Sequence, residues 1–187
     1  GGTLTAGDGL QAGGDAGDQN AVFSVTNGGV ATIGDKFIYT HSDGGARTVT
    51  VDGTNSSLTV TGQTLINGTT PGTLTISNGG TFSTQTGTIT GVVSGDGTFV
   101  QNGASTTDTT TLSGTNNFTG ATTVSGGIFE VGDSGTVGTS GGAVSIATGA
   151  TYQHSTTADS TITGVVSGAG DLVQSGAGTL TLTGTNT

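Results

Sequence analysis

Three aspartates near the N-terminus are the first residues with a chemical role to consider. Asp8, Asp15 and Asp18 lie among glycines in the stretch AGDGLQAGGDAGDQN, residues 6–20. Glycine permits tight turns, and aspartate supplies the hard oxygen ligands that calcium prefers. The stretch therefore predicts a calcium site at these three residues. The alternative is an acidic, solvated start of the chain that binds no ion.

A second charge-rich neighbourhood surrounds the two basic residues of the chain. Lys36 and Arg47 lie close in sequence to three further polar residues, Asp35, His41 and Asp43. Enzymes that cleave polysaccharides on elongated β folds combine clustered aspartates with Lys or Arg on one face. The neighbourhood is therefore a candidate sugar-binding or catalytic site, and the alternative is a solvated loop.

The remaining candidates favour structure over chemistry. His154 lies in QHSTTADS, residues 153–160, which is typical of a polar turn. Serine and histidine in one chain do not make a catalytic triad without the right geometry. Thr-x-Thr pairs on one flat face would suit ice binding, but their irregular spacing here favours ordinary strand exteriors. We predict no catalytic residue, and calcium is the only candidate cofactor.

The composition restricts the chain to strands and turns. Of 187 residues, 39 are Gly, 7% are charged and none is Cys. Thr, Val and Ile favour strands, while Gly, Asn, Asp and Ser supply turns. The net charge of −10 with only two basic residues excludes a nucleic-acid or anionic-membrane footprint. The absence of Cys excludes a disulfide scaffold.

An internal repeat dominates the second half of the chain. The octapeptide TITGVVSG occurs at 88–95 and again at 161–168, and more broadly residues 74–117 resemble residues 144–187. The small length differences between the copies fall in polar stretches, as solenoids tolerate. We predict one solenoid segment over 1–187 that is a piece of a longer chain or a processed product.

The short strand signals within the repeat indicate how the chain folds. Alternating pieces such as TVTV (48–51), LTI (74–76) and VSI (144–146) are each followed by Gly, Asn or Asp. Inward apolar and outward polar residues alternate along a strand. We predict an all-β fold, a right-handed parallel β-helix (β-solenoid) of short strands and Gly/Asn-rich turns. About 20 residues per coil would give roughly nine coils.

Two stretches resemble a known bacterial repeat. Residues 113–138 and 168–187 resemble the passenger-associated repeats of autotransporters, whose pattern runs approximately G-x-G-x-L-x-K-x-G-x-G-T-L-T-L-x-G-x-N. Gln101 and Gln174 lie near the place where the family often has Lys. The matching positions of the second stretch are Gly168, Gly170, Leu172, Gly176, Gly178, Thr179, Leu180, Thr181, Leu182, Gly184 and Asn186.

The resemblance implies a parallel β-helix on the surface of a Gram-negative cell or secreted from it. We therefore expect a non-catalytic structural or adhesive shaft, with a host-surface or glycan ligand. The alternative is a self-assembling extracellular filament or matrix subunit that associates through solenoid ends or faces. A polysaccharide-active enzyme and an ice-binding solenoid are more distant alternatives. We expect no nucleic-acid partner and no membrane insertion of this segment.

Overall fold

A computed structural model describes residues 1–12, 20–41, 46–68, 72–132 and 142–187, which form strands and turns without a helix. No helix in these ranges is long and apolar enough to cross a membrane. The strands are β1 (Thr3–Ala6), β2 (Leu10–Ala12), β3 (Asn20–Thr26), β4 (Val30–Ile33), β5 (Lys36–His41), β6 (Ala46–Asp52), β7 (Ser57–Gly68), β8 (Thr73–Ser77), β9 (Thr81–Ile89), β10 (Val92–Ser94), β11 (Thr98–Asn102), β12 (Thr109–Leu112), β13 (Ala121–Gly126), β14 (Ile128–Val131), β15 (Val144–Ile146), β16 (Thr151–His154), β17 (Ser160–Ile162), β18 (Val166–Gly168), β19 (Asp171–Gln174) and β20 (Leu180–Leu182).

The strands stack into three faces, and every pairing between them is parallel. Face 1 contains β1, β4, the first halves of β7 and β9, β11, β13, β15 and β18. Face 2 contains β2, β5, the second halves of β7 and β9, β12, β14, β16 and β19. Face 3 contains β3, β6, β8 and β10, and the pair β17–β20 follows face 2 in the last coils. The chain is therefore a parallel β-solenoid, as the sequence predicted.

The strand register gives the length of each coil. Thr3 pairs with Val30, so the first turn takes 27 residues, whereas Thr81 pairs with Thr98 after only 17. The chain makes about seven turns, and at about 4.8 Å per turn the shaft is about 34 Å long. The expectation of nine coils is wrong because several coils exceed 20 residues.

Alternation along the strands fills a single narrow core. Inward positions are buried and outward positions are half-exposed, as the pattern of β8 shows. An aromatic stack joins Phe82 to Phe99, Phe99 to Phe129 and Phe129 to Tyr152, with ring centroids 5.3, 5.2 and 5.3 Å apart. Such contacts add about 0.5–1.5 kcal/mol each beyond area burial. The stack crosses from face 1 to face 2 and connects four consecutive coils.

One corner of the solenoid is lined by glycine in consecutive coils. A Cβ on Gly120 would collide with the carbonyl oxygen of Gly97, and a Cβ on Gly142 would collide with that of Gly120. The same relation joins Gly164 to Gly142 and Gly184 to Gly164. Backbones therefore approach at this corner more closely than any side chain allows.

The two copies of the sequence repeat lie on different faces. LTI (74–76) belongs to β8 on face 3, whereas its counterpart VSI (144–146) belongs to β15 on face 1. Likewise FVQ (99–101) lies on face 1 and LVQ (172–174) lies on face 2. The second copy is thus displaced by one face around the axis. Each face offers a strand and its turn a similar environment, so the same sequence can occupy different faces. The unit that repeats in the structure is therefore one strand with its turn.

Candidate interaction surface and buried polar sites

The outer surface of face 1 carries two columns of small, uncharged residues. The residues of each column are cross-strand neighbours, so they lie about 4.8 Å apart along the axis. One column is Thr5, Thr32, Thr59, Ser83, Val100, Thr123, Ser145 and Ser167, and the other includes Thr3, Val30, Ser57, Thr81, Thr98 and Ala121. Neither column contains a charged residue.

Charged side chains occupy face 2 and the corners instead. Lys36, Glu130 and Asp171 lie on strands of face 2. Asp52 and Asp96 lie at the corner between faces 3 and 1, where both accept hydrogen bonds from Asn78. The chain has a net charge of −10, which opposes contact through charged surfaces. Because the charged side chains lie on face 2 and at the corners, face 1 is the surface best suited to close contact with another surface.

The Thr-x-Thr pairs are divided among the faces. Thr48 and Thr50 on β6 lie beside Thr73 and Thr75 on β8, in register on face 3. Thr88 lies on face 2. The pairs therefore do not combine into a single array.

The calcium candidates are only partly within the described structure. Asp8 is exposed in the turn between β1 and β2, while Asp15 and Asp18 lie outside the described residues. No group of three acidic, His or Cys side chains in the described ranges lies together as a metal site would require. The calcium site at Asp8, Asp15 and Asp18 stays a prediction.

Lys36 and Arg47 lie on opposite sides of the solenoid wall. Lys36 is exposed at the start of β5, next to exposed Asp35. Arg47 points into the core with 1% of its surface exposed. The side chain of His41 and all of Asp43 lie outside the described structure. The idea that the two basic residues share one sugar-binding surface is therefore wrong.

His154 is a core residue, and the prediction of a polar turn there is wrong. It ends β16 with its side chain fully buried. Its Nδ1 lies 2.7 Å from Oε1 of Gln174 and donates to that oxygen. Its Nε2 is buried without a partner in the described part of the chain. The strand continues because inward positions alternate through Tyr152 to His154, whatever their polarity.

Gln101 and Gln174 each donate hydrogen bonds to two main-chain carbonyl oxygens. The Nε2 of Gln101 donates to the carbonyl oxygens of Gln85 and Asp108, at 2.6 and 3.2 Å. The Nε2 of Gln174 donates to Gly176 and Gly178, at 3.1 and 2.6 Å. Gln101 thus satisfies one carbonyl within β9 and one in the loop after β11, whereas both acceptors of Gln174 lie in the loop after β19.

The side chain of Asn116 takes the place of a neighbouring strand as hydrogen-bond partner for the backbone in the core. It is 4% exposed; its Oδ1 accepts from the backbone N–H of Val93 at 2.9 Å, and its Nδ2 donates to the Gly114 carbonyl at 3.0 Å. Asn186 accepts from the N–H of Val166 at 2.8 Å in the same way. Both asparagines stand in a G-T-N sequence. Our sequence reasoning missed this role, although the recurrence of the asparagine was a signal for it.

Two half-buried acidic residues connect neighbouring coils. Glu130 accepts from Thr111 at 3.0 Å and from Ser155 at 2.7 Å, one coil to each side. Asp52 accepts from Ser77 Oγ at 2.6 Å and from Asn78 Nδ2 at 2.7 Å. These hydrogen bonds, that from Ser77 first, hold the pKa of Asp52 below its ordinary value.

The geometry defines a class of protein: a parallel β-solenoid whose inward polar side chains serve the backbone of adjacent coils. Residues 107–131 and 172–187 match the family model of the passenger-associated transport repeat. These segments contain Asn116 and Asn186. The repeats and the solenoid together fit an autotransporter passenger domain, which confirms the resemblance found in the sequence. Neither the curated proteins nor the solved structures yielded a match.

Proposed function

We propose that this chain is the shaft of an autotransporter-like surface protein, with extension and presentation as its function. The observation that carries the proposal is the coincidence of the passenger-associated repeat with the coil-connecting asparagines. The repeat spans Asn116 and Asn186, and both bind a backbone N–H of the preceding coil. A repeat that supplies these asparagines serves the stacking of coils, which needs no active site. The family implies a secreted or cell-surface location in Gram-negative bacteria.

Display on a bacterial surface tests this proposal. The chain, with an epitope at its N-terminus, is fused between a signal peptide and an autotransporter translocator barrel. We expect the epitope on intact cells, and we expect the solenoid to survive a broad-specificity protease that removes an unfolded passenger of equal length. Degradation in the periplasm, or rapid digestion at the surface, would contradict a stable external shaft.

A second candidate function is lateral association through face 1, as in a filament or an adhesive layer. It is supported by the two uncharged columns on that face, because the excess negative charge of the chain opposes contact through charged surfaces. A host-surface or glycan ligand bound at face 1 would make the same surface adhesive.

Matched charge substitutions distinguish this function from a solitary shaft. Thr59→Asp places a carboxylate in a face 1 column, and Thr88→Asp places the same group on face 2. Sedimentation at increasing concentration should show association of the wild type and of Thr88→Asp, and its loss in Thr59→Asp. A wild type that stays monomeric at every concentration would rule out self-association through this face.

A further inference from the structure

His154 is a buried base with one ring nitrogen left without a hydrogen bond. Its Nδ1 lies 2.7 Å from Oε1 of Gln174. The orientation of that amide is fixed, because its Nε2 donates to the carbonyl oxygens of Gly176 and Gly178. An amide oxygen only accepts, so Nδ1 of the ring carries the proton. The Nε2 of His154 is buried without a partner among the described residues, so a second proton there would meet no acceptor.

In the described ranges, no carboxylate faces the ring from the strands that pack most closely against β16, which are β13, β14 and β19. β13 carries no titratable side chain. Glu130 of β14 lies on the outer surface, since its neighbours in the strand point inward. Asp171 of β19 and Asp159 in the loop after β16 are exposed, and Tyr152 on β16 itself is uncharged at neutral pH. A protonated ring would therefore be a buried cation without a counterion, which is strongly unfavourable.

The partners of His154 lie at the surface, so this contact can open locally. The backbone N–H groups of Ser175 and Gly176 donate to the carbonyl oxygen of His154, at 3.0 and 3.2 Å. Gln174 and Ser175 are themselves exposed. Outward movement of β19 therefore brings the imidazole to water while the other coils stay packed.

We propose that His154 and Gln174 form an acid-sensitive contact that holds β19 against β16 at neutral pH and releases it in mild acid. A histidine in water takes up its second proton near about pH 6.5. The open and unfolded forms bind this proton and the closed form does not, so the closed form loses stability as the pH falls through this range. The chain has two histidines and no cysteine. Its histidines are therefore the side chains that ordinarily titrate between about pH 5.5 and 7.5.

Stability as a function of pH tests this contact. Urea unfolding is followed by circular dichroism at about pH 7.5, 6.5 and 5.5 in wild type, His154→Gln and His41→Gln. Glutamine at position 154 never becomes a cation and keeps an amide that can donate to Gln174. His41→Gln removes the other histidine and is the matched control. Hydrogen exchange of wild type locates the opening, with protection factors used so that the intrinsic effect of pH on exchange is removed.

We expect the unfolding equilibrium constant of wild type to rise about tenfold between about pH 7.5 and 5.5, as one proton bound near pH 6.5 by the unfolded chain predicts. His41→Gln should show the same rise, and His154→Gln should not. Amides of residues 171–178 should lose protection in this range, while those of β7 and β9 keep it. The proposal is overturned if wild type and His154→Gln have the same pH dependence, or if protection at 171–178 is retained or is lost equally in all strands. The exchange measurement on wild type decides the matter even if His154→Gln does not fold.

Discussion

Several polar side chains in this core act on backbone groups. Asn116 and Gln101 are both buried, and each bonds to main-chain atoms at a place where the strand ladder is interrupted. An unpaired buried N–H costs about 1–3 kcal/mol, so these side chains stabilise the coils in which regular pairing fails. Residues of this kind connect one coil to the next without forming a site for chemistry.

Replacing Asn116 should therefore weaken the whole stack. Asn116→Ala leaves the N–H of Val93 without its side-chain acceptor, and we expect a loss of about 1–3 kcal/mol in the free energy of unfolding. The measurement is urea denaturation followed by circular dichroism. Asn117→Ala, at the exposed next position, is the control and should change stability by less than about 0.5 kcal/mol. Equal effects of the two substitutions would contradict the role of Asn116.

The buried tyrosine at the end of the aromatic stack predicts sensitivity to alkali. Burial raises the pKa of Tyr152 above its ordinary value near 10. The folded state thus resists loss of this proton, and the stability associated with it is full below about pH 10 and declines at higher pH. Tyr152→Phe should match wild type at neutral pH and lose less stability above about pH 10. Identical alkaline profiles of the two proteins would contradict this assignment.

Single-residue roles were only partly predictable from the sequence. The exposed position of Asp8 follows from its Gly-rich surroundings, but the burial of His154 does not follow from its polar neighbours. Alternation along a strand determines which side chains point inward. The stretch QHSTTADS contains no large apolar residues, so its sequence does not show which positions point inward. Arg47 was expected on the surface because of its charge, although the buried Val49 and Val51 follow it at alternate positions and place it inward.

At the scale of the strand and its turn, the sequence was more informative. Short segments of alternating apolar residues followed by Gly or Asn form strands that end at a corner of the solenoid. Asn27 and Asn78 adopt the positive φ that such corners require. The face on which each strand lies could not be predicted. Coils of 17 to 27 residues bring the second copy of the repeat to a different face, and loop lengths alone set that rotation.

The glycine corner should be intolerant of even one methyl group. A Cβ at Gly120 would meet the Gly97 carbonyl oxygen and would lie 2.7 Å from Cζ of Phe118. We expect Gly120→Ala to lower the free energy of unfolding by at least about 1–3 kcal/mol through overpacking. Gly7→Ala is the matched control because nothing lies within 4 Å of its Cβ. Denaturant titration of both variants measures the difference, and an unaffected Gly120→Ala would show that the coils can separate at this corner.

At the scale of the whole molecule, stability arises from contacts between consecutive coils. In the part of the chain that the structure describes, strand pairings join each strand to its counterpart one turn away, and the core is a continuous column without a separate centre. Such solenoids behave as one-dimensional stacks of nearly independent units. Removing a whole turn should therefore preserve the fold, whereas removing part of a turn should not.

Deletion of residues 98–120 removes one turn in register. Thr98 pairs with Thr81 on one side and with Ala121 on the other, so the deletion places Ala121 beside Thr81 at the same corner. We expect a folded β protein that is shorter by about 4.8 Å in small-angle scattering, with some loss of stability because Asn116 is removed. Deletion of residues 98–108 is the control, since it brings a face 2 strand onto face 1 and should prevent cooperative unfolding. If both deletion variants fold equally well, the register between coils does not determine the structure. The proposal that the shaft is built by in-register stacking of coils would then be wrong.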